Sequence, residues 1–153
     1  MKDLPQAEAN LKHLLGLDFH DKDQVRMYLG QIAEEQKRPA DAMKWYGEVE
    51  DGDQYLGARI RHAQILAKQG QLNAARAWLQ GTEVRNNQQR VQLVLAEAQL
   101  LRDGNDPKSA FELLVEALER EPNNPDLLYD HAMLAERIRV AVVTNIPAPR
   151  GVG

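Results

Sequence analysis

The sequence predicts an all-α protein built from repeated helical hairpins. Its composition favours helices, because alanine, leucine, glutamine and glutamate are abundant while aromatic residues make up only 5% of the 153 residues. Small residues also recur at a regular spacing: Gly30, Ala63, Ala98 and Ala132 follow one another after 33, 35 and 34 residues. A period of this length is typical of stacked helix pairs.

A second set of residues follows the first set at a fixed distance. It consists of Ala42, Ala75 and Ala110, twelve residues after the first three small residues, and of Tyr46, Leu79 and Leu114, four residues further on. Two helices can cross closely only where the side chains at the contact are small. The small residues of both sets therefore predict helix crossings, with the larger residues filling the space between them.

The expected turns carry suitable residues. Asp106-Pro107 and Asn124-Pro125 each have the form of an N-cap followed by proline at the first helical position. The segment from Lys68 to Leu72 contains Gly70, which suits the turn between the two helices of one hairpin. These signals predict where the helices begin and end.

The pattern resembles the tetratricopeptide repeat (TPR), a helix–turn–helix unit of about 34 residues with small residues at its eighth and twentieth positions. The resemblance extends over residues 5–139, and its best match runs from Val91 to Pro122. It implies a right-handed superhelical solenoid of antiparallel helix hairpins. The chain departs from the family where apolar residues are usual, at Arg26, Arg59, His62, Glu97 and His131, while the spacing is preserved.

The repeat predicts two regions. Residues 1–139 form a TPR array: the second helix of one unit (residues 5–17), three full units, and the first helix of a fourth (residues 125–139). Residues 140–153 form a non-repeat C-terminal tail. Because a solenoid needs polar capping repeats at its ends, we expect an excerpt of a longer array, similar to long bacterial repeat proteins.

The last predicted helix lacks its usual partner. Pro147 and Pro149 argue against a helix after Arg139, which leaves an apolar face uncovered at Leu128, Ala132 and Ala135. We expect the segment from Val140 to Ile146 to fold back over this face, or to cover the same face of a second molecule, so that the chain self-associates through its terminal helix. The alternative is a frayed, solvated tail.

The resemblance also implies a ligand surface on the concave side of the superhelix. The fifth position of each unit is apolar, and the ninth is glutamine in three units of four, with two arginines nearby. These candidate groove residues are Met27, Gln31, Ile60, Arg61, Gln64, Leu95, Gln99, Arg102, Tyr129 and Met133. An apolar row beside amides suits a peptide or protein partner. The alternative is that the apolar residues are buried by neighbouring helices and the glutamines are simply good helix formers.

The chain offers little for catalysis or metal binding. Ser109 is its only serine, it has no cysteine, and no two histidines have the spacing of a helical metal site. We therefore predict no enzyme activity, no catalytic residue, no metal and no cofactor. Of the carboxylate clamp found in chaperone adaptors of this family, only Arg61 has a counterpart, so we do not predict that clamp.

Charge and hydropathy limit the remaining partners. The net charge of −4 argues against nucleic acid, although a helical-repeat RNA-binding module remains an alternative, as does a regulatory or assembly segment of a larger protein. No apolar run approaches the roughly 18 residues of a membrane span. The chain carries no targeting signal and no cysteine, so its location is open between cytoplasm and periplasm.

Overall fold

The computed structural model describes residues 3–17, 19–50 and 52–144, and within these ranges every regular element is an α-helix. The helices are α1 (Leu4–Leu15), α2 (Lys22–Glu35), α3 (Pro39–Gly47), α4 (Tyr55–Lys68), α5 (Leu72–Gln80), α6 (Asn87–Asp103), α7 (Pro107–Arg120) and α8 (Pro125–Thr144). The all-α prediction is confirmed. The chain divides into two compact units, Met1–Glu83 with α1 to α5 and Val84–Gly153 with α6 to α8.

Helices that follow one another in the sequence pack together within each unit. In the first unit α2 packs against α1 and α3, and α4 packs against α3 and α5. In the second unit α7 packs against both α6 and α8, and α6 also contacts α8. This order of contacts is that of helical hairpins joined by short turns.

The regularly spaced small residues lie where the helices of each unit meet. All of them except Ala132 are buried, and the larger residues of the second set are at most 1% exposed; the buried positions are Gly30, Ala63, Ala98, Ala42, Ala75, Ala110, Tyr46, Leu79 and Leu114. The predicted crossings at these positions are confirmed. The crossing predicted at Ala132 was wrong, because Ala132 is exposed on the side of α8 where no described helix packs.

The difference between Ala98 and Ala132 provides a test of the packing. Replacing Ala98 with leucine should lower the free energy of unfolding by about 1–3 kcal/mol, because Ala98 is fully buried between helices and the added carbons have no space. Replacing the exposed Ala132 with leucine should change it by less than about 0.5 kcal/mol. Urea denaturation followed by circular dichroism measures both values. Equal losses in the two variants would contradict the packing described here.

The same turn joins the helices of three hairpins. A residue with positive φ stands in each turn: Lys37 (57°), Gly70 (81°) and Asn105 (63°). The amide of the following residue donates to a carbonyl in the last turn of the preceding helix, at 2.8, 2.9 and 2.8 Å. The acceptors are Ala33, Leu66 and Leu101, spaced like the small residues. This is the Schellman arrangement, which satisfies carbonyl groups at a helix end.

The predicted N-caps are also present. The Asp106 side chain accepts a hydrogen bond of 3.1 Å from the amide of Ser109 at the start of α7. The Asn124 side chain accepts bonds of 3.0 and 3.1 Å from the amides of Asp126 and Leu127 at the start of α8. Each cap satisfies amide groups that a helix N-terminus leaves unpaired.

Helix α8 is longer than the sequence predicts. The helix was expected to end at Arg139, but it continues to Thr144, and Val140, Val142 and Val143 are about half exposed along it. The predicted fold-back over the apolar face is therefore wrong for residues 140–144. The remainder of that segment, including Ile146, lies outside the described residues. Association of a second molecule through this face stays a prediction.

Two of the residues that depart from the family pattern, Arg59 and His62, form one cluster between α4 and α5. The His62 ring stacks on Trp78 with centroids 3.8 Å apart, and the Arg59 guanidinium carbon lies 3.7 Å from the Trp78 ring. Arg59 also donates to Thr82 Oγ1 at 2.9 Å and to the Trp78 carbonyl at 3.2 Å. The polar atoms of Arg59 and Thr82 thus find partners at the end of α5, so this hairpin tolerates them where apolar residues are usual.

The His62 cluster predicts a dependence of stability on pH. Burial lowers the pKa of His62 below its ordinary value of 6.5, and the charge of Arg59 lowers it further. Below the ordinary value the unfolded state binds more protons than the folded state. The contribution of His62 to the free energy of unfolding is therefore complete above pH 6.5 and is lost as the pH falls toward the lower pKa that His62 has in the folded state.

We expect His62→Phe to remove this part of the acid sensitivity, because phenylalanine keeps the ring contact with Trp78 and does not titrate. Urea denaturation at several pH values between about 5 and 8 measures the effect. His13→Gln, at an exposed position of α1, is the control and should follow the parent profile. Parallel profiles for the parent and His62→Phe would show that His62 does not carry the sensitivity.

Candidate peptide-binding surface

In the first unit, the candidate groove residues lie on α2 and α4. Gln31, Ile60 and Arg61 are half-buried and Gln64 is exposed, so all four present side-chain atoms at the surface. Met27 is different: it is 5% exposed and belongs to the hydrophobic core of this unit. Its prediction as a surface residue was wrong, because its side chain packs into that core instead of facing the solvent.

A polar chain of contacts fixes the position of Arg61. Arg61 Nη1 lies 3.5 Å from Glu34 Oε2, and the same oxygen accepts a hydrogen bond from the Tyr46 hydroxyl. Burial raises the pKa of Tyr46, and the carboxylate of Glu34 raises it further, so the hydroxyl remains a donor. The guanidinium of Arg61 therefore points toward Glu34 on α2.

A pocket of about 440 Å³ adjoins this surface. It is lined by Glu34, Lys37, Pro39, Ile65, Lys68 and Gln69. Lys37 lines it because the turn after α2 gives this residue a positive φ. The contribution of Lys37 could be seen only once the conformation of this turn was known.

In the second unit, an ion pair connects the candidate residues of α6 and α8. Arg102 Nη1 donates to Asp130 Oδ2 at 3.0 Å, and these two side chains are 19% and 20% exposed. Arg102 also donates to the amide oxygen of Gln99, whose own NH₂ donates to Asp103 at 2.8 Å. The Gln99 amide is therefore already engaged within the protein, so it is less available to a ligand backbone than the sequence suggested.

The second unit contains the most exposed of the apolar candidate groove residues, Tyr129. Tyr129 is 65% exposed and Met133 is 50% exposed, one helical turn apart on α8, whereas Leu95 on α6 is half-buried. Large apolar side chains left this open on one helix face are typical of interaction surfaces. The structure thus brings Leu95, Arg102, Tyr129 and Met133 onto two helices that contact each other.

A second part of this surface was missed by the sequence analysis. A pocket of about 270 Å³ lies beside Leu95, between the N-terminal half of α6 and the start of α8. Its other lining residues are Asn87, Gln88, Val91, Gln92, Glu121, Asn124 and Asp126. Gln92 occupies the second position of its unit, which the family pattern assigns to the ligand surface, so this residue could have been found from the sequence.

Metal sites and membrane spans are both absent from the part of the chain that the structure describes. No group of three or more histidine, cysteine, aspartate or glutamate side chains is arranged to hold a metal ion within residues 3–17, 19–50 and 52–144. Two of the histidines instead stack on aromatic rings, His62 on Trp78 and His131 on Phe111 at 4.5 Å. None of the helices in those ranges has the length and apolar character needed to cross a bilayer.

Comparison with known proteins agrees with the helical pattern. The chain is 33% identical over 115 residues to a TPR repeat-containing protein of Pseudomonas aeruginosa, and this alignment covers 75% of the chain. The chain therefore has a tetratricopeptide-repeat-like fold. It spans about a fifth of the length of that relative, of which 20% is aligned. No family model matches the chain.

Only part of the candidate surface follows the tetratricopeptide pattern. That pattern assigns the second, fifth, ninth and twelfth positions of each unit to the concave side, whereas Arg61 occupies the sixth position of its unit. In this chain the fifth position is buried at Met27, half-buried at Ile60 and Leu95, and open at Tyr129. The apolar character of the surface is therefore greatest on α8.

Proposed function

We propose that the chain is a protein-interaction scaffold without catalytic chemistry of its own, and that it binds a peptide or protein partner on the concave face of its hairpins. The observation that carries the proposal is the exposure of Tyr129 and Met133 beside the Arg102–Asp130 ion pair. Aromatic residues, methionine and arginine are the residue types enriched in protein interfaces.

The two sides of this surface would recognise different parts of a partner. The apolar side chains of Leu95, Tyr129 and Met133 bury apolar groups of the ligand. The polar side chains supply hydrogen bonds, since Arg102 has five donors and the described ion pair uses only part of them. In the first unit, Gln64 and Ile60 repeat this combination of an amide beside an aliphatic residue.

Selection from a displayed random-peptide library tests the proposal. A peptide that binds should shift the amide resonances of residues near Leu95, Gln99 and Tyr129 when it is titrated into the isotope-labelled chain. Resonances near Val115, on the exposed face of α7, serve as the internal control. If the selected peptides shifted chiefly the α7 resonances, or if repeated selections yielded no binder, the concave surface would not be the binding site.

A further inference from the structure

The pocket beside Leu95 has an uneven distribution of charge. Glu121 and Asp126 are the only ionisable residues in its described lining, which contains no lysine, arginine or histidine. The other lining groups are four amide side chains and the apolar residues Val91 and Leu95. Amides accept and donate hydrogen bonds without preference for charge, so the two carboxylates decide which ligand charge is favoured.

The carboxylates of Glu121 and Asp126 contribute unequally to the attraction of the pocket for a cation. Asp126 is exposed in the first turn of α8 and lines this pocket. Glu121 is half-buried and also borders an adjoining pocket, whose lining includes Arg90 and Arg120. Arg120 is paired with Glu116 of the same lining at 3.9 Å, whereas Arg90 reduces the negative potential at Glu121, so Asp126 supplies the larger part of the attraction for a cation.

An aromatic ring stands next to Asp126 on the same helix. Tyr129 follows one turn later, and its side chain is 65% exposed. Residues three apart on a helix share a face, so a cationic group near the Asp126 carboxylate can also approach the Tyr129 ring. A carboxylate beside an open aromatic ring binds lysine or arginine side chains by charge attraction and by the cation–π interaction.

We propose that the partner of this surface is a basic peptide segment, in which lysine or arginine residues alternate with apolar residues. The cationic side chain enters the pocket of Asp126 and Glu121, and the apolar side chains lie against Leu95, Tyr129 and Met133. The proposal rests on the function proposed above and adds the charge of the ligand, which the net charge of the chain alone does not specify.

Three short peptides with blocked ends test the charge preference. All contain leucine and serine at the same positions, and the third residue type is lysine, glutamine or glutamate. In titration calorimetry at low salt the lysine peptide should bind most tightly and the glutamate peptide most weakly. Added salt should reduce the difference, because ionic strength screens charges at the surface.

Variants of the two pocket carboxylates, with matched controls, test whether the preference for a basic peptide arises in this pocket. Asp126→Asn should weaken binding of the lysine peptide about threefold to tenfold, and Glu121→Gln should weaken it less. Neither variant should change binding of the glutamine peptide. Glu112→Gln and Glu119→Gln on α7 are the controls, since each removes one exposed carboxylate outside the pocket.

The possible failures are distinct. Equal or tighter binding of the glutamate peptide at the same resonances would overturn the basic-ligand proposal and leave the scaffold function standing. The basic-ligand proposal is also overturned, and the scaffold function left standing, if neither the lysine nor the glutamate peptide binds while the library selection yields a peptide that shifts the concave-face resonances. Equal effects of Asp126→Asn and Glu119→Gln would also overturn it, because net charge rather than the pocket would then set the affinity.

Discussion

Replacing Gly30 with alanine should lower the free energy of unfolding by about 3 kcal/mol, although alanine is the better helix former. Tyr46 packs directly over the glycine, so that a Cβ atom at residue 30 would lie within 2.7 Å of the ring carbons Cε1, Cδ1 and Cζ. The ring is fully buried and its hydroxyl donates to Glu34. It cannot move aside without losing that bond and disturbing the core.

Gly57→Ala is the matched control in the same unit. It also lies within a helix, but a Cβ there would contact only the end of Met27, at 3.9 Å. Alanine should therefore stabilise the protein at this position by about 0.5–1 kcal/mol. Urea denaturation should show opposite signs for the two variants. Two stabilised variants would mean that Tyr46 does not occupy the space above Gly30.

A double variant separates the ring contact from other effects of the glycine. In a Tyr46→Leu background the bulky ring is absent, so adding Gly30→Ala should cost less than it does in the parent. The difference between the two costs is the coupling energy between residues 30 and 46. Additive effects would show that the loss in Gly30→Ala arises elsewhere in the helix.

The repeat could be predicted from the sequence because its signals are local and repeated. A small residue is required wherever two backbones cross, so the spacing of Gly30, Ala63 and Ala98 also gave the positions of the buried crossings. The turns repeat with the same period, as the positive φ angles of Gly70 and Asn105 show. Several weak signals with one period give a stronger prediction than any one of them.

The candidate surface could be predicted only in part, because exposure depends on neighbours in space. The position of Met27 in its unit predicts a surface residue, but its side chain packs with other buried residues in the core of the first unit. The pocket of Asp126 combines repeat positions of two helices, such as Gln92, with Glu121 and Asn124 from the turn between α7 and α8, which the repeat pattern does not assign to the ligand surface.

The length of α8 was missed for a different reason. The prolines near the C-terminus predict that the helix ends at Arg139. A proline restricts the residue just before it and removes one hydrogen bond in the preceding turn. Pro147 is too far along the chain to prevent helix formation at residues 140–144, and the helix continues through them to Thr144.

Truncating Tyr129 and Met133 to alanine together should weaken binding of a library-selected peptide by about 100-fold, since buried aromatic and methionine anchors carry much of the energy of an interface. Both side chains are at least half exposed in the unbound protein, so their loss should leave its stability and helicity unchanged. Titration calorimetry measures the affinity, and circular dichroism measures the helicity.

Leu128→Ala is the control on the same helix. Leu128 is 45% exposed, but it lies on the part of α8 turned away from Tyr129 and Met133, so its truncation should change the peptide affinity by less than about threefold. Both variants shorten exposed apolar side chains of α8. A general loss of non-specific hydrophobic binding would therefore weaken the peptide affinity of both alike. Equal losses of affinity would therefore rule out the face of Tyr129 and Met133 as the specific binding surface. A large loss confined to the double variant, with unchanged helicity, would locate the peptide on that face.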